Sequence, residues 1–215
     1  MVPETEVHAN HHRSGHRWVD LVLAASAMVV SIVSVVIAIR HGQTMERMAE
    51  ANARLVAANS WPFLQYTTGN VGDDGKPRIT LSVINAGVGP ARVETLEVFW
   101  HGVPVASSRA LLAACCGLEP GSGPTLPFSE SLAAGRILRA GDSVKLLEVQ
   151  PAAGTAAVWE RLDHARMHVK LRACFCSVFE DCWTSPLVGT RATPVASCPV
   201  PGVPFGIPGA EDLER

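Results

Sequence analysis

Arg78-Ile79-Thr80-Leu81-Ser82-Val83 alternates polar and apolar side chains with a period of two. Successive residues of a strand face opposite ways, so this stretch predicts a strand with one wet face and one buried face. Asp73-Asp74-Gly75 supplies the turn before it. Working outward, strands are expected at Phe63 to Thr67, Pro77 to Ile84, Ala91 to Trp100, Arg136 to Leu138, Val144 to Val149, Arg166 to Val178 and Trp183 to Val188, with a short helix at Thr155 to His164. Short strands separated by turn signals predict an all-β, immunoglobulin-like antiparallel sandwich.

Upstream the pattern is of another kind. Leu21 to Ile39 runs nineteen residues without a charge, closed by Asp20 and Arg40. At ~1.5 Å per residue this is ~28 Å of helix, close to the ~30 Å hydrocarbon thickness of a bilayer, so an uncleaved transmembrane helix is expected. A cleavable signal peptide with Ala25-Ser26-Ala27 as its cleavage site is the weaker reading, because most of the apolar length follows that site. A buried core helix is disfavoured by a run that is apolar on every face.

Within the run Ala24, Ala27, Ser31, Ser34 and Ala38 follow a 3,4,3,4 spacing, which lets two helices approach closely. The same count continues through His41, Met45, Met48, Asn52, Leu55 and Asn59, the period of a coiled-coil seam, with Glu46, Arg47, Glu50 and Arg54 outside it. A homodimer through this stripe is one expectation. A single amphipathic helix lying on its own β-domain or on the bilayer is the other, and Gly42 weakens the helix by about 1 kcal/mol. Trp61-Pro62 should end the helix, since a residue before proline is pushed out of helical conformation.

The organisation expected is therefore a polar N-terminal tail at 1–17, a transmembrane helix at 18–40, a helical stalk at 41–60, the β-sandwich at 61–190 and a proline-rich tail at 191–215. The sequence after the span is long enough for one domain with its own core. Net charge is −2 and the basic residues are scattered, unlike the concentrated footprint of a nucleic-acid binder. Arginine outnumbers lysine and alanine is abundant, a bias that suits a bacterium with a GC-rich genome.

Six cysteines, Cys115, Cys116, Cys174, Cys176, Cys182 and Cys198, suggest a disulfide framework in an oxidising compartment. Zinc is a competing use, although Cys-x-Cys-x5-Cys is not a paired-knuckle signature, and free buried thiols are another. On orientation, Arg13 and Arg17 precede the span and Arg40, Arg47 and Arg54 follow it, a slight vote for a cytoplasmic C-terminal domain. The cysteines argue for the outside, and a periplasmic C-terminal domain on the inner membrane is the expectation.

Alternation places Met167, Val169, Leu171, Ala173 and Phe175 on the core face, so Cys174 and Cys176 fall on the opposite face and need a cover. Two segments can supply it: Pro104 to Gly135, too long for a plain loop, and the tail from Arg191 with Cys198. Ser107 or Ser108 should cap a short helix ending at Cys115-Cys116. Adjacent cysteines rarely bridge each other, so each is expected to seek a distant partner, with Cys174, Cys176 and Cys182 nearest by strand order.

Asn85-Ala86-Gly87-Val88-Gly89-Pro90-Ala91, between two strands, resembles the Asn-x-Gly-x-Gly-Pro-Ala turn of uncharacterised bacterial single-pass membrane proteins with an Ig-like extracytoplasmic β-domain. Trp61-Pro62-Phe63-Leu64 and Cys174-Phe175-Cys176-Ser177-Val178-Phe179 with Trp183 also look like that group. The resemblance implies an architecture and leaves the activity open. A plain reading of the glycines is that they permit positive φ in a tight loop.

Motifs for catalysis are weak. Gly87-x-Gly89 lacks the third glycine and the helix of a nucleotide fingerprint, and Gly121-Ser122-Gly123 is not a nucleophile elbow. His164 and His168 are expected on the surface, and the cluster His8, His11, His12 and His16 reads as a polar leader or a metal-binding tail. The expectation is a membrane-anchored interaction or assembly module with an unknown protein partner, no cofactor, no catalytic residues and no nucleic acid. The alternative is a thiol-redox or metal-binding module built on the cysteines with His164 or His168.

Overall fold

A computed structural model describes residues 17–118, 126–189 and 191–206, and the chain divides into two compact units, Met1–Leu55 and Val56–Arg215. The histidine cluster at 8–16 and the 121–123 segment lie outside the described residues.

Helix α1 (Arg17–Asn59) runs 43 residues, and none of them is buried. It is the one described helix long and apolar enough to cross a membrane. Asp20 in its first turn complements the positive end of the helix dipole. Ser26 Oγ donates to Leu23 O at 2.9 Å and Thr44 Oγ1 to Arg40 O at 2.9 Å, so both hydroxyls are satisfied within the helix. Gly42 does not interrupt it. A turn closed by Ser60 N–H on Ala57 O ends α1 just ahead of Trp61-Pro62.

The strands of the second unit are β1 (Leu64–Val71), β2 (Pro77–Asn85), β3 (Ala91–Trp100), β4 (Val103–Val105), β5 (Phe128–Glu130), β6 (Ile137–Leu138), β7 (Ser143–Val149), β8 (Lys170–Cys176), β9 (Cys182–Ser185) and β10 (Thr193–Val195). They form two antiparallel sheets, ordered β1-β2-β7-β5 and β10-β9-β8-β3-β4, with β6 paired to β3. Ile79, Leu81 and Val83 of one sheet and Val93, Leu96, Val98, Leu171 and Phe175 of the other meet in one apolar core.

Two bulges adjust which side chains reach that core. The β3–β8 register shifts between Val93 and Thr95, which puts Val93 and Leu96, three positions apart, on the same buried face. The β2–β7 register shifts between Leu81 and Ser82, opposite Leu147 and Lys145, and both Leu146 and Leu147 are buried there.

The long connection after β4 holds α2 (Ser108–Cys116), as the capping signal implied. Ser107 Oγ accepts from Ala110 N–H at 3.2 Å, and Gly117 closes the helix in left-handed conformation with its N–H on Ala113 O. Leu111 and Leu112 are buried on its inner face, and Ser108 Oγ donates to Leu146 O. Helix α3 (Ala156–Ala165) packs against α2, where Arg161 Nε donates to Cys116 O at 2.8 Å.

Two expectations are corrected here. Met167 is 67% exposed and not in the core, because the chain is still turning out of α3 at that point and strand alternation begins only with Lys170. Gly87 and Gly89 are not at positive φ, unlike Gly75 or Gly141. Their reason is proximity: a Cβ on Gly87 would run into the backbone of Trp61, Pro62 and Phe63, and one on Gly89 into that of Ser60.

Asn85 completes this close approach. Its Oδ1 accepts from Phe63 N–H at 3.1 Å and Gly87 N–H at 3.0 Å, while Nδ2 donates to Gly89 O at 2.8 Å and Leu138 O at 3.0 Å. Trp61 O accepts from the N–H groups of Val88 and Gly89. The Asn-x-Gly-x-Gly-Pro-Ala segment is therefore a backbone clamp on Ser60–Phe63.

Candidate functional site

Four of the six cysteines converge at one end of the second sheet. Hairpin β8–β9 sets Cys176 opposite Cys182, with Cα atoms 4.0 Å apart and the sulfurs bonded. The intervening turn is tied by Ser177 N–H on Asp181 O, and Phe179 N–H donates to Ser177 Oγ. Glu180 stands at positive φ in this turn, and its carboxylate takes a two-pronged bond from Arg92 of β3, at 2.8 and 2.6 Å. That guanidinium holds the Glu180 carboxyl below its usual range.

Cys198 arrives from the C-terminal segment. After β10 pairs with β9, the chain leaves the sheet edge and crosses the outer face of β8 and β3. Cys198 bonds Cys174 at a Cα separation of 5.6 Å. Further along, Gly202 N–H donates to Glu97 Oε1 at 3.1 Å, Phe205 N–H to Leu96 O at 2.9 Å, and Gly206 N–H to Ala106 O at 2.7 Å. Glu97, only 6% exposed, has its other oxygen bound by Arg172, which also stacks on the Phe99 ring at 5.3 Å. This strap is the cover the strand alternation required, and beneath it Cys174 and Cys176 are 1% and 2% exposed.

No family model, curated protein or solved structure matches the chain.

What the site can do chemically follows from its sulfurs. Cys176 Sγ lies 3.9 Å from Cys198 Sγ, so the two bridges touch. The sulfurs of Cys176, Cys182 and Cys198 all lie within 4.8 Å of one another. Oxidised, these groups are two disulfides in van der Waals contact. Reduced, they are thiols, and three of the sulfurs are close enough to share an ion once deprotonated.

Cys115 and Cys116 depart from the expected pattern. Their sulfurs bond each other, with Cα atoms 3.7 Å apart, and neither joins the strap. Both sit in the last turn of α2, which packs against α3 and the core, away from the strap. His164 and His168 are exposed as expected, and His168 precedes β8 at the end opposite the Cys176–Cys182 hairpin. The histidines thus have no place in the cysteine cluster. Cys198 was the residue whose role local pattern could not assign, and the only signal for it was the uncovered face of β8.

Proposed function

We propose that this chain is a bitopic bacterial membrane protein whose C-terminal domain is an extracytoplasmic, immunoglobulin-like interaction or assembly module. The observation that carries it is α1: an apolar run and a polar continuation in one 43-residue helix, with an unbroken 3,4 stripe. A helix that leaves Met45, Met48, Leu55 and Val56 exposed presents an apolar seam to a partner helix. The lipid bilayer covers the upstream part, and a second copy covers the stripe.

The strand order supports the immunoglobulin-like reading. β1-β2-β7-β5 follows the A-B-E-D sheet of that fold, and β9-β8-β3 follows G-F-C. The resemblance of the Asn85–Ala91 turn to that of single-pass bacterial membrane proteins points the same way. Cysteines at bonding distance fit the periplasmic side, since disulfides persist in oxidising compartments.

Single cysteines at Met45 or Met48, in a background lacking the native ones, are expected to crosslink between copies in membranes, and one at Arg47 to do so far less. Equal crosslinking at the three positions, or none, removes the dimer.

A second reading, a thiol-redox module, is favoured by one observation, the contact between two disulfides at the strap. Its requirement is that a dithiol protein reduces these bridges in the native chain.

A further inference from the structure

We propose that Cys198 is a shared partner, bonded by either Cys174 or Cys176, so that the four cysteines form one thiol–disulfide exchange site for an external dithiol protein. The proposal deepens the thiol-redox reading and rests on it.

Cys174 and Cys176 are two residues apart on β8, and their side chains leave the same face of the sheet toward the strap. Cys198 therefore sits against both: bonded to one sulfur and 3.9 Å from the other. Moving the bond from Cys174 to Cys176 needs side-chain rotation at Cys198 and Cys176, with the β8–β9 ladder and the Glu97–Gly202 bond unchanged. Access is unequal in a useful way. Cys174, Cys176 and Cys182 are buried, and Cys198 alone of the four is partly exposed. An incoming thiolate reaches Cys198 first.

The steps balance as follows. A thiolate of the external dithiol attacks Cys198 Sγ, the Cys174–Cys198 bond breaks, and the electron pair leaves on Cys174, which takes up a proton. The second thiol of the reagent displaces Cys198 from the mixed disulfide, so the reagent is oxidised to its disulfide and Cys198 is left as a thiolate. Cys198 then attacks Cys176 Sγ, the Cys176–Cys198 bond forms, the Cys176–Cys182 bond breaks, and Cys182 leaves as thiolate and is protonated. This last step is an isoelectronic interchange and needs no further reagent. One two-electron reduction thus ends with thiols at Cys174 and Cys182 and with the strap still tethered. Reduction entering at Cys176–Cys182 reaches the same state when Cys176 attacks Cys198 and Cys174 leaves.

The test uses the full chain in lipid nanodiscs, with bridges read by non-reduced peptide mapping after acid quench and alkylation. Native protein given one equivalent of dithiothreitol is expected to accumulate a Cys176–Cys198 peptide. Cys182→Ala, equilibrated at pH 8 with a trace of thiol, is expected to hold Cys174–Cys198 and Cys176–Cys198 within about tenfold of each other, because only rotamer energies separate them. Absence of the Cys176–Cys198 bridge in both samples overturns the proposal, and the native sample decides alone if the variant does not fold. Failure of the redox reading is a separate result: a Cys-x-x-Cys dithiol protein leaves every bridge of the native chain intact, whatever the Cys182→Ala mapping shows.

Discussion

Asn85 shows how much one side chain can hold. It is fully buried, and its amide uses two acceptor and two donor positions on four backbone groups from three segments. Asn85→Ala strands three of those groups, Phe63 N–H and the carbonyls of Gly89 and Leu138, away from water at about 1–3 kcal/mol each, so a loss of ~3 kcal/mol is expected in thermal unfolding of the full chain in detergent. Gly87 and Gly89 were legible as punctuation between strands. Their purpose was not, because close approach of Ser60–Phe63 is a tertiary fact and positive φ is the commoner use of glycine. Tyr66, the only tyrosine in the chain, donates its hydroxyl to Arg166 O at 3.0 Å, and burial pushes its pKa up to about 12. The folded state thus keeps its proton where the unfolded chain, at about 10, has lost it. Stability from this group is complete below pH ~10 and is lost as pH rises toward 12. Tyrosinate absorbance should titrate near 12 in native protein and near 10 in denaturant; a single transition near 10 in both would contradict the buried hydroxyl.

At the scale of elements, most of the readable strands had enough residues to show a period, although two-residue β6 also falls within the expected Arg136 to Leu138. Ala91 to Trp100 is β3 as expected, bounded by Pro90 and the His101-Gly102 turn. β4, β5 and β10 have three residues each, too few for alternation to register. The bulge between Val93 and Thr95 is likewise invisible without a partner strand. The strap was anticipated by an argument from burial: Cys174 and Cys176 faced away from the core and needed covering. Its companion expectation for Cys115 and Cys116 failed because a helix end, once packed, fixes which way both sulfurs point. The strap and the hairpin also differ in the chain they close, 24 residues for Cys174–Cys198 and 6 for Cys176–Cys182. Loop entropy assigns about 3 kcal/mol to the first and about 2 kcal/mol to the second. Cys198→Ser should therefore lower the unfolding midpoint by more than Cys182→Ser, and proteolysis of the C-terminal segment should accelerate only in the former. The reverse order would show that the strap is held mainly by Glu97 and Phe205.

For the whole molecule, the division into a long exposed helix and a β-rich unit was the most legible feature, because hydropathy and strand alternation are signals of different period. In the proposed membrane reading, orientation rests on opposed arguments, a small excess of arginine after the apolar run against six paired cysteines. A phosphatase active only outside the cytoplasm, fused after Arg215, should be active, and activity from a cytoplasm-only reporter at that site would reverse the assignment. The strap has a further consequence at the margin of the second sheet. β3 is paired with β6 at Ala91 and Arg92 and with β4 from Val98 to Trp100, which leaves a notch between them. Gly135 and Arg136 bond Val93, and Phe205 bonds Leu96, so the notch is filled from within. An unfilled edge is a template on which another molecule can lay a strand, the first step toward aggregation. By bonding Phe205 to Leu96, the chain withholds that template from its neighbours.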